Sequence, residues 1–161
     1  MDNPIVLYID DEETNIKAFE ASFRRDFDIT ATTSLPFAID ALSKKEYHVI
    51  ISDQKMPGVA GSEFLLAISA KYPKSLKIIL TGYQDFQVAR EALNSGRIFK
   101  YMLKPWDKDE VVQTVKLAYE LYTLRNERER LIDELLKAQD NMRKMTSELE
   151  NSKSLDRKRK N

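Results

Sequence analysis

Residues 49–58 read VIISDQKMPG, and this stretch decides how the rest of the chain is read. Four apolar or small residues, Val49 to Ser52, run directly into Asp53, and Pro57-Gly58 then signals a turn. The pattern is that of a buried strand delivering a carboxylate to a loop. Taken alone, Asp53 fits a strand-ending cap, a metal ligand or a nucleophile, and the choice depends on what the other strands deliver.

Four further strand-like runs lie at 5–9 (IVLYI), 29–33 (ITATT), 77–80 (KIIL) and 98–103 (IFKYML). The nearly continuous apolar runs read as central parallel strands covered on both faces, and the alternating ITATT as a strand nearer an edge. Between them the period becomes helical. The stripes are Ile16, Phe19 and Phe23; Ala38, Ala41 and Leu42; Leu65, Ile68 and Tyr72; and Ala89, Ala92 and Leu93. Ser34 before Leu35-Pro36 marks one helix start, and Asp107 with Glu110 three residues on fits a capping box at another. Five βα repeats with right-handed crossovers make an open α/β sheet whose working residues belong at the carboxyl ends of the strands.

That rule gathers a specific set. The first strand ends at Asp10-Asp11, the third at Asp53, the fourth at Thr81 and the fifth at Lys104-Pro105. Three carboxylates at one edge repel each other unless a cation neutralises them, and a hard divalent ion such as Mg²⁺, bound by carboxylates and a phosphate oxygen, meets that need. Lys104 and Thr81 supply an ammonium and a hydroxyl for the remaining phosphoryl oxygens, leaving Asp53 as the nucleophile. Each residue has a plainer reading: Asp10-Asp11 as a cap, Thr81 before Gly82 as a turn residue, Lys104 as a solvated lysine. Their joint placement at four strand ends outweighs these.

The motifs YIDDEE (8–13), SDQKMPG (52–58) with Gly61, LTGY (80–83) and YMLKPW (101–106) closely resemble the receiver domain of two-component response regulators over about residues 5–122. The resemblance implies a flavodoxin-like, five-stranded parallel sheet of order 2-1-3-4-5 with helices on both faces. It also implies that Asp53 accepts a phosphoryl group from a histidine kinase or histidine phosphotransfer protein. Asp10, Asp11, Asp53 and the backbone carbonyl of Lys55 would hold Mg²⁺, and Thr81 and Tyr101 would form the switch pair. Gln54 stands where an apolar residue is frequent and Trp106 where phenylalanine is frequent; Gln54, Lys55 and Tyr83 flank the site as candidates for tuning phosphoryl lifetime. The lone histidine, His48, begins the third strand at the opposite end and reads as structural, so the phosphodonor comes from outside.

The totals exclude other classes. The 161 residues hold 26 basic and 26 acidic side chains and no cysteine, which argues against nucleic-acid or membrane binding by net charge and removes thiolate chemistry. With no long apolar run and no leader pattern, a cytoplasmic protein is expected. An aspartyl-nucleophile phosphohydrolase would carry D-x-D after the first strand, where this chain has Asp10-Asp11-Glu12. A flavodoxin-like cofactor protein would need a phosphate-cradling loop in place of these acids.

After Trp106 there is no Gly or Pro, and the charge density rises. Leu117, Leu121, Leu124, Leu131, Leu135, Ala138, Met142, Met145 and Leu149 keep a three-four spacing, with Arg128 interrupting one core position. This is a coiled-coil seam. With position 121 as a, Glu120 would meet Arg125 of a second copy and Glu148 would meet Lys153, favouring a parallel homodimer. The expected organisation is a receiver domain over 1–122, a helical extension over 123–152 and a solvated, frayed basic tail over 153–161. Two other readings stand beside the switch: an adaptor acting mainly through the coiled coil, and the regulatory front part of a longer protein.

Overall fold

The structure, a computed structural model, describes residues 2–161 apart from the side chains of Tyr83 and Phe86. Strands and helices alternate: β1 (Ile5–Ile9), α1 (Glu13–Phe23), β2 (Asp28–Thr32), α2 (Leu35–Lys44), β3 (Val49–Asp53), α3 (Gly61–Ser69), β4 (Leu76–Thr81), α4 (Phe86–Asn94), β5 (Lys100–Leu103) and α5 (Lys108–Arg159). A 3₁₀ turn at Tyr83–Asp85 precedes α4. All strand pairs are parallel, in the order β2-β1-β3-β4-β5, as expected.

The sheet is covered on both faces, which is why the central strands are apolar throughout. Tyr8, Val49, Ile51, Ile78 and Leu80 turn to one face, where they meet Phe19 and Phe23 of α1 and Val111, Val115 and Ala118 of α5. Leu7, Ile9, Ile50 and Ile79 turn to the other, against Ala38 and Leu42 of α2, Phe64 and Leu65 of α3, and Ala92 of α4. β3 and β4 are buried along their whole length, while the edge strand β2 is half-buried. Strand alternation thus assigns each side chain to a core.

The local start signals work as read. Ser34 Oγ accepts from Phe37 N at 3.2 Å, and Asp107 Oδ1 accepts from Glu110 N at 2.9 Å. Glu110 Oε1, which a full capping box would turn back to Asp107 N, lies 3.5 Å from Lys100 Nζ. β5 begins two residues later than the apolar run suggests. Phe99 N already donates to Lys77 O at 2.7 Å, but Ile98 follows the left-handed Gly96 (φ +75°) and serves the core as a connector.

By contacts the chain divides into residues 1–123 and 124–161. In the first unit α5 buries Val111, Thr114, Val115, Ala118 and Tyr122 at helical spacing, and Leu121 is half-buried. In the second, α5 carries Leu124, Leu131, Leu135, Met142, Met145 and Leu149, all exposed. The helix runs on through Arg159, so the basic run expected to fray is helical. No Gly or Pro interrupts it, and Arg157, Lys158 and Arg159 sit where the helix dipole favours cations.

Candidate functional site

Backbone ladders extend past the strand ends and fix the residues that matter. Asp10 N donates to Thr32 O at 3.2 Å, Gln54 N to Leu80 O at 3.0 Å, and Lys104 N to Thr81 O at 2.9 Å. The acids following β1, the acid closing β3, the hydroxyl closing β4 and the lysine after β5 are therefore held at one edge. Oxygens of Asp10, Asp11 and Asp53 all lie within 4.8 Å of one another. Asp10 is fully buried and Asp53 nearly so, while Asp11 is exposed.

Lys104 ties the cluster together. Its Nζ lies 2.8 Å from Asp10 Oδ2 and 3.2 Å from Asp53 Oδ1. Burial alone would lower the lysine's affinity for its proton, but the hydrogen bond to Asp10 and the charges of both carboxylates push it above its ordinary value. Burial would likewise raise Asp10; bonds from Lys104, Glu12 N and the Tyr8 hydroxyl outweigh it and hold Asp10 below the usual carboxylate range. Asp53 goes the other way. Burial, with the charges of Asp10 and Asp11, raises it despite Lys104. One ammonium does not neutralise three carboxylates, and the donor set is all oxygen, so the residues fit a hard cation.

The other expected residues differ in their surroundings. Thr81 is wholly buried, with Oγ1 donating to Gly82 O at 3.2 Å. Tyr101 pairs with Ile79, two residues before Thr81 on β4, so strand alternation puts Thr81 and Tyr101 on one face of the sheet; the Tyr101 ring is half-buried. Lys55 is exposed on the loop after Asp53. Gln54, expected to flank the acceptor, is buried, and its side-chain amide is used on α3: Nε2 donates to Ser62 Oγ and Oε1 accepts from Ser62 N, both at 2.9 Å. The Tyr83 side chain lies outside the described residues.

Three contributors escaped the sequence reading. The Tyr8 hydroxyl donates to Asp10 Oδ2 at 2.7 Å, and Asn15 Nδ2 reaches both Asp10 oxygens at 3.2 and 3.3 Å. Tyr8 stands two residues before Asp10 on a strand, so alternation was a usable signal. Gly61, quoted only as part of a motif, opens α3 against the acceptor: a Cβ there would meet the Asp53 carbonyl oxygen at 1.9 Å. Only glycine lets α3 approach this strand end.

A parallel doubly wound sheet with this acid cluster at its carboxyl edge fits a phosphoryl-accepting signalling domain, and comparison with known proteins gives the family. A family model described as the response regulator receiver domain matches residues 6–116, and the chain belongs to that family. It is 32% identical over 143 residues to the hydrogenase transcriptional regulatory protein HoxA of Cupriavidus necator, covering 89% of this chain and 30% of that protein. The HoxA protein of Bradyrhizobium diazoefficiens is 33% identical over 124 residues, 77% of this chain and 26% of the relative. The chain thus spans under a third of the length of these relatives. Among solved structures, the signal receiver domain of an HD domain-containing protein from Pseudomonas fluorescens Pf-5 superposes with TM-score 0.73 at 26% identity, covering 80% of this chain and 95% of that one. A receiver domain protein from Clostridium thermocellum gives 0.69 at 27%, covering 75% and 98%.

Proposed function

We propose that this chain is a phosphorylation-dependent switch that takes a phosphoryl group onto Asp53 from a histidine kinase or histidine phosphotransfer protein, with Mg²⁺. Receiver domains of response regulators are phosphorylated by histidine kinases, and the observation that carries the reading to this chain is Lys104 bridging Asp10 and Asp53 beside Asp11. Asp10, Asp11 and Asp53, with the carbonyl of Lys55, would hold the cation, which supplies charge neutralisation for the phosphoryl oxygens. Asp53 contributes the attacking oxygen. A bond forms between it and phosphorus as the bond from phosphorus to the donor breaks, and no proton need leave Asp53, since its side chain attacks ionised. Lys104 then has a phosphoryl oxygen to pair with, and the Thr81 hydroxyl another.

The product carries about half to one more negative charge than the ionised Asp53 it replaces, together with new acceptor oxygens. Thr81 turning toward it frees space on the face it shares with Tyr101, and the ring position reports the state to the surface around α4, β5 and α5. For such a switch to respond, its two states differ by only a few kcal/mol.

Output includes a parallel homodimer through α5. What supports this is the exposed apolar stripe from Leu124 to Leu149 together with the matching charges at Glu120 and Arg125 and at Glu148 and Lys153. Intrahelical pairs, Asp133–Lys137 at 2.9 Å and Asp140–Lys144 at 3.2 Å, stiffen the faces away from the seam. The test is intact-mass spectrometry after incubation with acetyl phosphate. One phosphoryl group is expected with Mg²⁺ and none with Asp53→Asn; labelling of that variant contradicts the reading.

A further inference from the structure

We infer that Tyr8 is a positioning residue of the cation site, holding the Asp10 carboxylate in the orientation that a divalent ion requires. The inference rests on the phospho-acceptor reading above. Tyr8 and Asp10 are both fully buried and, two residues apart at the end of β1, share one face of the sheet. The Tyr8 ring has little freedom: it stacks on Phe19 at 4.0 Å with the planes 17° apart, and Phe19 is itself packed against Phe23 at 4.7 Å and edge-on to Trp106 at 5.8 Å. The hydroxyl is therefore presented to Asp10 Oδ2 from a fixed point, at 2.7 Å.

The other donors to Asp10 differ in kind. Glu12 N, also fixed, meets Oδ1 at 3.0 Å, whereas Asn15 Nδ2 and Lys104 Nζ are at the ends of partly buried, flexible side chains. A divalent ion approaching Asp10 has the same sign of charge as Lys104 and competes with it. The Tyr8 hydroxyl is neutral, so it can remain on the carboxylate while the ion binds. Fixed neutral donors around a ligating carboxylate set its plane, and their loss typically weakens metal binding about 10- to 100-fold.

Tyr8→Phe keeps the stacked ring and removes only the donor. Calorimetric titration of the full chain with Mg²⁺ alone should show a dissociation constant raised about tenfold or more. Labelling by acetyl phosphate should shift to higher Mg²⁺ by the same factor, the gap to wild type narrowing as Mg²⁺ rises. Tyr47→Phe is the control: that hydroxyl is on Thr30 Oγ1 at 3.1 Å, in a part-buried bond that involves none of Asp10, Asp11 and Asp53, and its loss should leave the Mg²⁺ constant unchanged. Equal Mg²⁺ affinity in Tyr8→Phe and wild type, with wild type labelled on Asp53, overturns the role of Tyr8 alone. A wild-type chain that binds no Mg²⁺ overturns both readings. A Tyr8→Phe chain that loses its fold also overturns the assignment, because the hydroxyl would then be holding the core.

Discussion

Up to Thr123 the chain buries most of its apolar side chains on both faces of a sheet, and Tyr8, Phe19, Ile50, Leu65 and Ile79 are wholly withdrawn from solvent. From Leu124 onward the same kind of apolar periodicity stays in water: Leu135 is 72% exposed and Met142 69%. A three-four stripe states that a helix face needs cover; it does not state what covers it. In α5 the two outcomes follow one another along a single helix, with Val115 and Ala118 buried and Leu131 and Leu135 open. An exposed apolar stripe of this length marks an interaction surface, which is why a second copy enters the account.

The sharpest way to break the contrast is at a position where the first unit has no slack. Gly61→Ala puts a methyl into the Asp53 carbonyl and should cost more than about 3 kcal/mol in urea unfolding, whereas Gly82→Ala, with open space around it, should stay within about 0.5 kcal/mol. Equal costs would mean that α3 does not depend on that close approach.

The second unit should behave in the opposite way. Replacing Leu131 and Leu135 together by Ala should weaken self-association at least tenfold, measured by sedimentation, with the thermal midpoint of the receiver unit shifted by less than about 2 °C, because neither residue contributes to its core. Unchanged self-association would refute the seam.

A smaller effect sharpens the electrostatic side. Asp53 is raised by burial and by its acidic neighbours, so at neutral pH its ionised form costs stability, lost as pH climbs through the range above the unfolded value near 4. Asp53→Asn should raise the thermal midpoint by about 2–4 °C without Mg²⁺ and by less with it. A lowered midpoint would show that the Lys104 pair outweighs the repulsion.

The smallest effect concerns the far end of the sheet. His48 Nδ1 accepts from Ile5 N at 2.9 Å, and burial holds the imidazole below its ordinary value. The unfolded chain takes up that proton first. Stability from this source is full above about pH 6.5 and falls as pH drops below it. His48→Asn, which keeps an acceptor, should flatten this slope in unfolding measured across pH; an unaltered slope would show that His48 does not set it.

The βα alternation and the convergence of Asp10, Asp11, Asp53, Thr81 and Lys104 were legible because each follows from a local period plus one topological rule, whereas the strand order came only from the resemblance of the motifs to a known family. Pairings between side chains were less so. Gln54 beside the acceptor looked like a modulator, and only the three-dimensional placement of Ser62 shows its amide engaged on α3. Tyr8 read as one more apolar strand residue because its ring belongs to the core and only its hydroxyl to the site. The helical 153–159 segment was missed because charge density suggested solvation, and solvation does not prevent a helix that lacks breakers.

The central claim is that Asp53 itself carries the phosphoryl group, and it is tested most directly by locating that group. After exposure to acetyl phosphate and Mg²⁺, borohydride reduction converts an aspartyl phosphate to homoserine, which peptide sequencing by mass spectrometry places on the chain. Homoserine at position 53, and its loss when Mg²⁺ is chelated, is the predicted result. Homoserine at position 10 or 11, or none at all while the chain still gains phosphate, would contradict the account.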